Sequence, residues 1–132
     1  MEYELKEIPV MYLETHDLSN EIPKTFDDLE SRLDTLRGRK FYGTFNDIDE
    51  IYQACVAIKE GDDPHALGLK VGVIAGGLYA RAKLTYWVEN VKLIAEKFDQ
   101  LAEEYKDRID TTRPSVEYYR SHDEVICLLP IK

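Results

Sequence analysis

Hydrophobic positions along the chain alternate between strand and helix periods, and the switches between them divide it into two similar halves. Tyr3 to Glu14 reads as a strand, with Pro9 at an edge or a bulge where its missing amide is tolerated. His16 to Pro23 is polar and turn-like. Thr25 with Asp28 three residues on resembles a capping box, and Phe26, Leu29, Leu33 and Leu36 follow at helical spacing up to a stop at Gly38. Phe41 to Phe45 and Ile51 to Ile58 read as paired strands joined through Asn46-Asp47-Ile48-Asp49. Val71 to Ala75 is a further strand, broken by Gly76-Gly77, after which Tyr79 to Leu84 alternates again. Val88, Val91, Ile94, Phe98, Leu101 and Tyr105 then mark a long amphipathic helix. Arg113-Pro114 excludes helix at that point, and Ser115–Arg120 with Val125–Ile131 closes the chain as a hairpin around Ser121-His122-Asp123.

Strand, helix, strand, strand therefore occurs twice, in halves of about 1–60 and 70–132. A shift of 74 residues superposes Gly43 on Glu117, Phe45 on Tyr119 and Asp49-Glu50-Ile51 on Asp123-Glu124-Val125. The expected fold is α+β, a pseudo-symmetric βαββ duplication. It has one antiparallel sheet, both helices on one face and a ligand groove on the other. Its 132 residues match one domain against a prior of about 150.

Charge and composition narrow the partners. The chain carries 17 basic and 26 acidic residues, a net charge of −9, which is the wrong sign for binding nucleic acid directly. Arg37-Gly38-Arg39-Lys40 reads instead as complementing the end of the first helix. No apolar run reaches the roughly 18–20 residues of a membrane span; the longest, Val71 to Ala80, is uncharged but half that length and holds three glycines. Met1-Glu2-Tyr3-Glu4 is unlike a signal peptide, so the expected location is cytoplasmic, with no membrane partner. Cys55 and Cys127 read as buried thiols. His16, His65 and His122 fall in turns, and neither a metal nor a cofactor is expected. Nine tyrosines among 14 aromatic residues are the unusual feature, because a phenol ring offers an apolar face, a quadrupole and a polar tip.

Several signatures recur in order: Phe41-Tyr42-Gly43-Thr44-Phe45-Asn46-Asp47, Tyr52-Gln53-Ala54-Cys55-Val56, Gly76-Gly77-Leu78-Tyr79-Ala80, Glu117-Tyr118-Tyr119 and Leu128-Leu129-Pro130-Ile131. Together they resemble the GyrI-like small-molecule-binding domains, relatives of the effector domains of MerR- and AraC-type multidrug-sensing regulators. The resemblance spans essentially the whole chain and implies an SHS2-like duplication with a pocket for hydrophobic, often cationic compounds above an acidic residue. Glu117 takes the position of that glutamate, with Tyr119 on the same strand face and Tyr79 as the aromatic of the Gly-Gly-x-Tyr-Ala motif. Trp87, Phe45 and Tyr12 complete the expected lining. The chain departs from the family at Tyr86-Trp87, where a glycine is frequent, and it leaves no residues for a helix-turn-helix domain.

Read from the residues alone, Glu117 either faces solvent, pairs with Arg81, Lys83 or Arg120, or forms a buried ligand anchor. The resemblance favours the last and implies a stand-alone sensing or sequestering domain, a homodimer being compatible with it. Two alternatives remain. One is a hydrolase of cyclopropane-type electrophiles in which Glu117 activates water. The other is a protein-binding module like a gyrase inhibitor.

Overall fold

Lys6-Glu7 interrupts the first alternating run, so that two strands form where one is expected. β1 spans Glu2–Leu5 and β2 spans Ile8–Thr15. α1 (Glu21–Ser31), β3 (Phe41–Asn46) and β4 (Ile51–Ala57) complete the first half. β5 (Lys70–Ile74), β6 (Gly77–Thr85), α2 (Lys92–Glu104), β7 (Ser115–Ser121) and β8 (Glu124–Pro130) repeat that order. The computed structural model describes residues 1–17, 21–85, 92–121 and 123–132. The molecule is α+β, and no helix among the described residues is long and apolar enough to cross a membrane.

α1 begins four residues before Thr25. Pro23 is tolerated in a first turn, Glu21 complements the helix dipole there, and the Thr25 hydroxyl donates back to the Glu21 carbonyl at 2.6 Å instead of capping. The helix correspondingly stops at Ser31, so Leu36 lies beyond it and is 46% exposed.

All eight strands form one antiparallel sheet in the order β1-β6-β8-β7-β3-β4-β2-β5. Its outermost pairings share a single register: Glu2 partners Ala80 and Leu5 partners Gly77 in one ladder, while Ile8 partners Ile74 and Tyr12 partners Lys70 in the other. Since β1 runs on into β2 and β5 into β6, these ladders tie the two ends of the row together and curl the sheet back on itself.

Strand alternation then separates two environments. Val10, Cys55, Ile74, Tyr79 and Val116 are at most 1% exposed and form a core with Tyr42, Ile126 and Leu128. Every member comes from a strand, so the curled sheet buries this face against itself. The other face carries the helices. Leu29 of α1 packs on Met11, Ala54 and Val56, and Ile94 and Leu101 of α2 pack on Ala80, Val125, Cys127 and Leu129. Each leucine, isoleucine, valine or methionine so buried contributes roughly 1.5–3 kcal/mol against the entropy of ordering the chain. The segment between the halves is clipped down by arginines. Arg39 grips Asp62 through two 2.7 Å bonds, which hold that carboxyl down at about 2, and Arg32 donates to the carbonyls of Leu67 and Gly68.

Where the two ladders meet, the chains cross closely. A Cβ on Gly76 would lie 2.9 Å from the Glu7 amide nitrogen and 3.1 Å from the Leu5 carbonyl oxygen, both backbone atoms that cannot swing aside. Gly76→Ala is therefore expected to cost roughly 1–3 kcal/mol, read as a lowered midpoint in thermal melts; a wild-type midpoint contradicts this crossing.

Candidate functional site

β7 and β3 are the central pair of the sheet, and in their ladder Gly43 partners Glu117. These two residues are also equivalent under the sequence repeat, so the local two-fold axis passes between them. One half places a carboxylate at the axis and the other places nothing. That vacancy is needed: a Cβ on Gly43 would lie 1.9 Å from the Tyr52 hydroxyl oxygen and 2.8 Å from Glu117 Oε1. Through the gap Tyr52, from β4 of the first half, donates to Glu117 Oε1 at 2.6 Å. Tyr119, two residues along β7, donates to the same oxygen at 2.5 Å, and the two hydroxyl oxygens are 3.2 Å apart. Phe26 of α1 meets both rings edge-on, with centroids 6.0 Å from Tyr52 and 5.4 Å from Tyr119. Tyr119 also packs into the cluster under α2. The carboxylate thus sits on the helix face, between the footprints of the two helices.

Burial pushes the Glu117 carboxyl above its ordinary value of 4.5, and the hydrogen bonds from Tyr119 and Tyr52 pull it back only in part. Both phenols lie well above the ordinary tyrosine value, raised first by burial and then by the charge of Glu117, so at neutral pH they remain donors. Cys127, the partner of Glu117 on β8, is pushed up to about 12, first by burial, and stays an unreactive thiol. No described lysine or arginine neutralises Glu117. Lys83 and Arg120 both turn to Glu124, at 3.3 and 3.8 Å, while Arg81 lies over the Tyr3 ring. No described residue donates to Oε2. A half-buried carboxylate with aromatic neighbours and no counter-charge among the described residues can take up a cation or a proton. Among the described residues no group of His, Cys, Asp and Glu is arranged to hold a metal.

Of the six residues singled out from sequence, the five that are described separate in space. Glu117 and Tyr119 come together. Phe45 shares their face, two residues from Gly43, and partners Tyr52 and Ser115 in the neighbouring ladders. Tyr79 points to the other face, where it is fully buried, donates to the Ala75 carbonyl at 2.6 Å and lies 4.7 Å beneath the Arg113 guanidinium. Tyr12 is on that face too, its ring filling the space left by Gly72. Trp87 lies outside the described residues. The groove expected on the face away from the helices is corrected: that face is the packed interior, and Val116 and Tyr118, not Glu117, point into it. Two hollows of about 210 and 230 Å³ lie elsewhere, one between the end of α1 and residues 61–67, the other between α1 and β2.

Tyr52, Gly43 and Phe26 were not among the expected site residues. The available signal was Gly43, a glycine inside a strand, standing where the other half has Glu117.

By sequence, the chain matches no family model and no curated protein. Among solved structures its architecture recurs over its full length. The integron cassette protein VCH_CASS2 from the mobile metagenome of Vibrio cholerae superposes with a TM-score of 0.73 at 13% identity, covering 100% of this chain and 95% of that one. The fold is a shared one. SAV2435, solved bound to tetraphenylphosphonium, gives 0.70 at 12% identity with coverages of 100% and 93%; a hydrolase from Listeria innocua gives 0.61 at 13% with 100% and 90%. At these identities the likeness establishes the fold.

Because the folded-state value of Glu117 is raised, ionising it works against folding. Its stabilising share is complete below about 4.5 and is lost as pH rises through the folded value. Glu117→Gln should therefore melt higher than wild type at neutral pH, with the gap closing as pH falls towards 4.5. A gap that widens on acidification contradicts the assignment.

Proposed function

We propose that the chain is a binding domain for small hydrophobic organic molecules, lipophilic cations foremost, acting in sensing or sequestration. The observation that carries this reading is the Glu117 carboxylate beneath Tyr52, Tyr119 and Phe26 with no described cation beside it. A bound cation supplies the missing counter-charge, and each ring face it meets adds roughly 0.5–2 kcal/mol of cation–π attraction. Phe45 is the further aromatic residue on this face and the next candidate for the lining. The shared fold of a protein solved with tetraphenylphosphonium supports the reading. A hydrolytic use of the same carboxylate is the second reading, favoured by its raised value and by Oε2, to which no described residue donates.

Tetraphenylphosphonium tests the proposal. At a hundredfold excess over its dissociation constant it should stabilise the fold by about 2.7 kcal/mol, read as a raised melting temperature, and the neutral triphenylphosphine oxide should do so less. Glu117→Gln should reduce the affinity for the cation about tenfold, or 1.4 kcal/mol, and leave the neutral compound unaffected. An equal response to both compounds in wild type, or a preference that survives in the variant, overturns the reading.

A further inference from the structure

The two oxygens of Glu117 stand in different surroundings. Oε1 accepts from Tyr52 at 2.6 Å and from Tyr119 at 2.5 Å, which fills the lone-pair sites of one carboxylate oxygen. Oε2 accepts from no described residue. Among the described residues, the side-chain polar atoms that are buried without a partner are Arg39 Nε and Arg113 Nη1. Oε2 is not one of them, so this undonated oxygen of a half-buried residue reaches the surface.

The direction of the protons matters here as much as the charge. A phenol has one proton to donate, and Tyr52 and Tyr119 both spend theirs on Oε1. Phe26, edge-on to both rings, and Phe45 on the same face bring no polar side-chain atom. The cluster therefore turns a charged acceptor outward, set among apolar ring surface, and no phenol proton with it.

A cation without an N–H, such as a phosphonium or a quaternary ammonium, answers the charge and meets the rings. It also covers Oε2 with carbon and supplies no donor in return. A charged acceptor taken from water without a replacement partner loses its hydrogen bond outright. A protonated amine carries charge and donor in one group, and the bond it makes to a carboxylate is of the strong, charge-assisted kind.

We infer, building on the binding role proposed above, that the site selects protonated amines with aryl-bearing substituents, the ammonium N–H donating to Glu117 Oε2. One N–H suffices, because one oxygen is open. The remaining substituents on nitrogen face the rings of Phe26, Tyr52 and Tyr119. Permanently charged cations bind at the same place more weakly, and molecules that offer only hydrogen-bond acceptors meet an acceptor. Oε2 is thus the atom that sets specificity within the class of lipophilic cations.

Isothermal titration of the full chain at neutral pH with three compounds of one apolar body tests this. Diphenylpropyl-dimethylammonium has an N–H, diphenylpropyl-trimethylammonium has a methyl in its place, and diphenylpropanol is neutral. The N–H cation should bind at least about tenfold more tightly than the quaternary one, and both more tightly than the alcohol. In Glu117→Gln the phenols hold the amide oxygen in the place of Oε1, which turns the NH2 group to the place of Oε2. A donor then faces a donor, and the advantage of the N–H cation should vanish. Equal affinities for the two cations, both above that of the alcohol, overturn the N–H selection and leave the binding role standing. An N–H advantage that persists in Glu117→Gln overturns the assignment to Oε2. If neither cation binds more tightly than the alcohol, the binding role itself fails and the selection with it.

Discussion

A carboxylate with no described cation beside it, held at the axis of a duplicated sheet, governs how the centre of this molecule is built. Glu117 keeps its place because Gly43 leaves room opposite it and because hydroxyls from both halves converge on one of its oxygens. Neither half makes the site alone: Tyr52 belongs to the first and Tyr119 to the second. Two neutral donors lessen the cost of burying the charge without cancelling it, and the raised carboxyl value follows from that imbalance.

The curl of the sheet decides which face is available for chemistry. With its two ends tied through β1–β6 and β2–β5, the inner face becomes a core filled by Val10, Ile74, Tyr79 and Val116. Glu117, Tyr52 and Tyr119 lie on the outer face. There α1 and α2 flank the central strands, and Phe26 reaches over the tyrosine pair from the helix side. The same geometry explains the two roles of the tyrosines. Tyr79 is structural, clamped between a backbone carbonyl and Arg113, whereas Tyr52 and Tyr119 hold the carboxylate.

Much of this was legible in the residues. The order of elements, the duplication and the shared face of Glu117 and Tyr119 follow from period-two and period-3.6 patterns, which are local. Pairing across the sheet is not local. The closure of β1–β2 onto β5–β6 leaves no periodic trace, and without it the side of the sheet away from the helices looks open. Alternation fixes only relative orientation, so it does not show that Tyr12 and Tyr79 turn to the face opposite Glu117. The start of α1 was misplaced because Thr25 offers capping chemistry that a hydrogen bond to the Glu21 carbonyl absorbs instead. Tyr52 could not be found by spacing, as it reaches Glu117 across β3 through a missing side chain.

The most direct measurement is an NMR titration of the Glu117 side-chain carboxyl carbon, with and without tetraphenylphosphonium. The account predicts a midpoint above 4.5 in the free protein that falls when the cation binds, since a nearby positive charge favours the ionised form. A free-protein midpoint at or below 4.5, or one that the cation leaves unmoved, would contradict it.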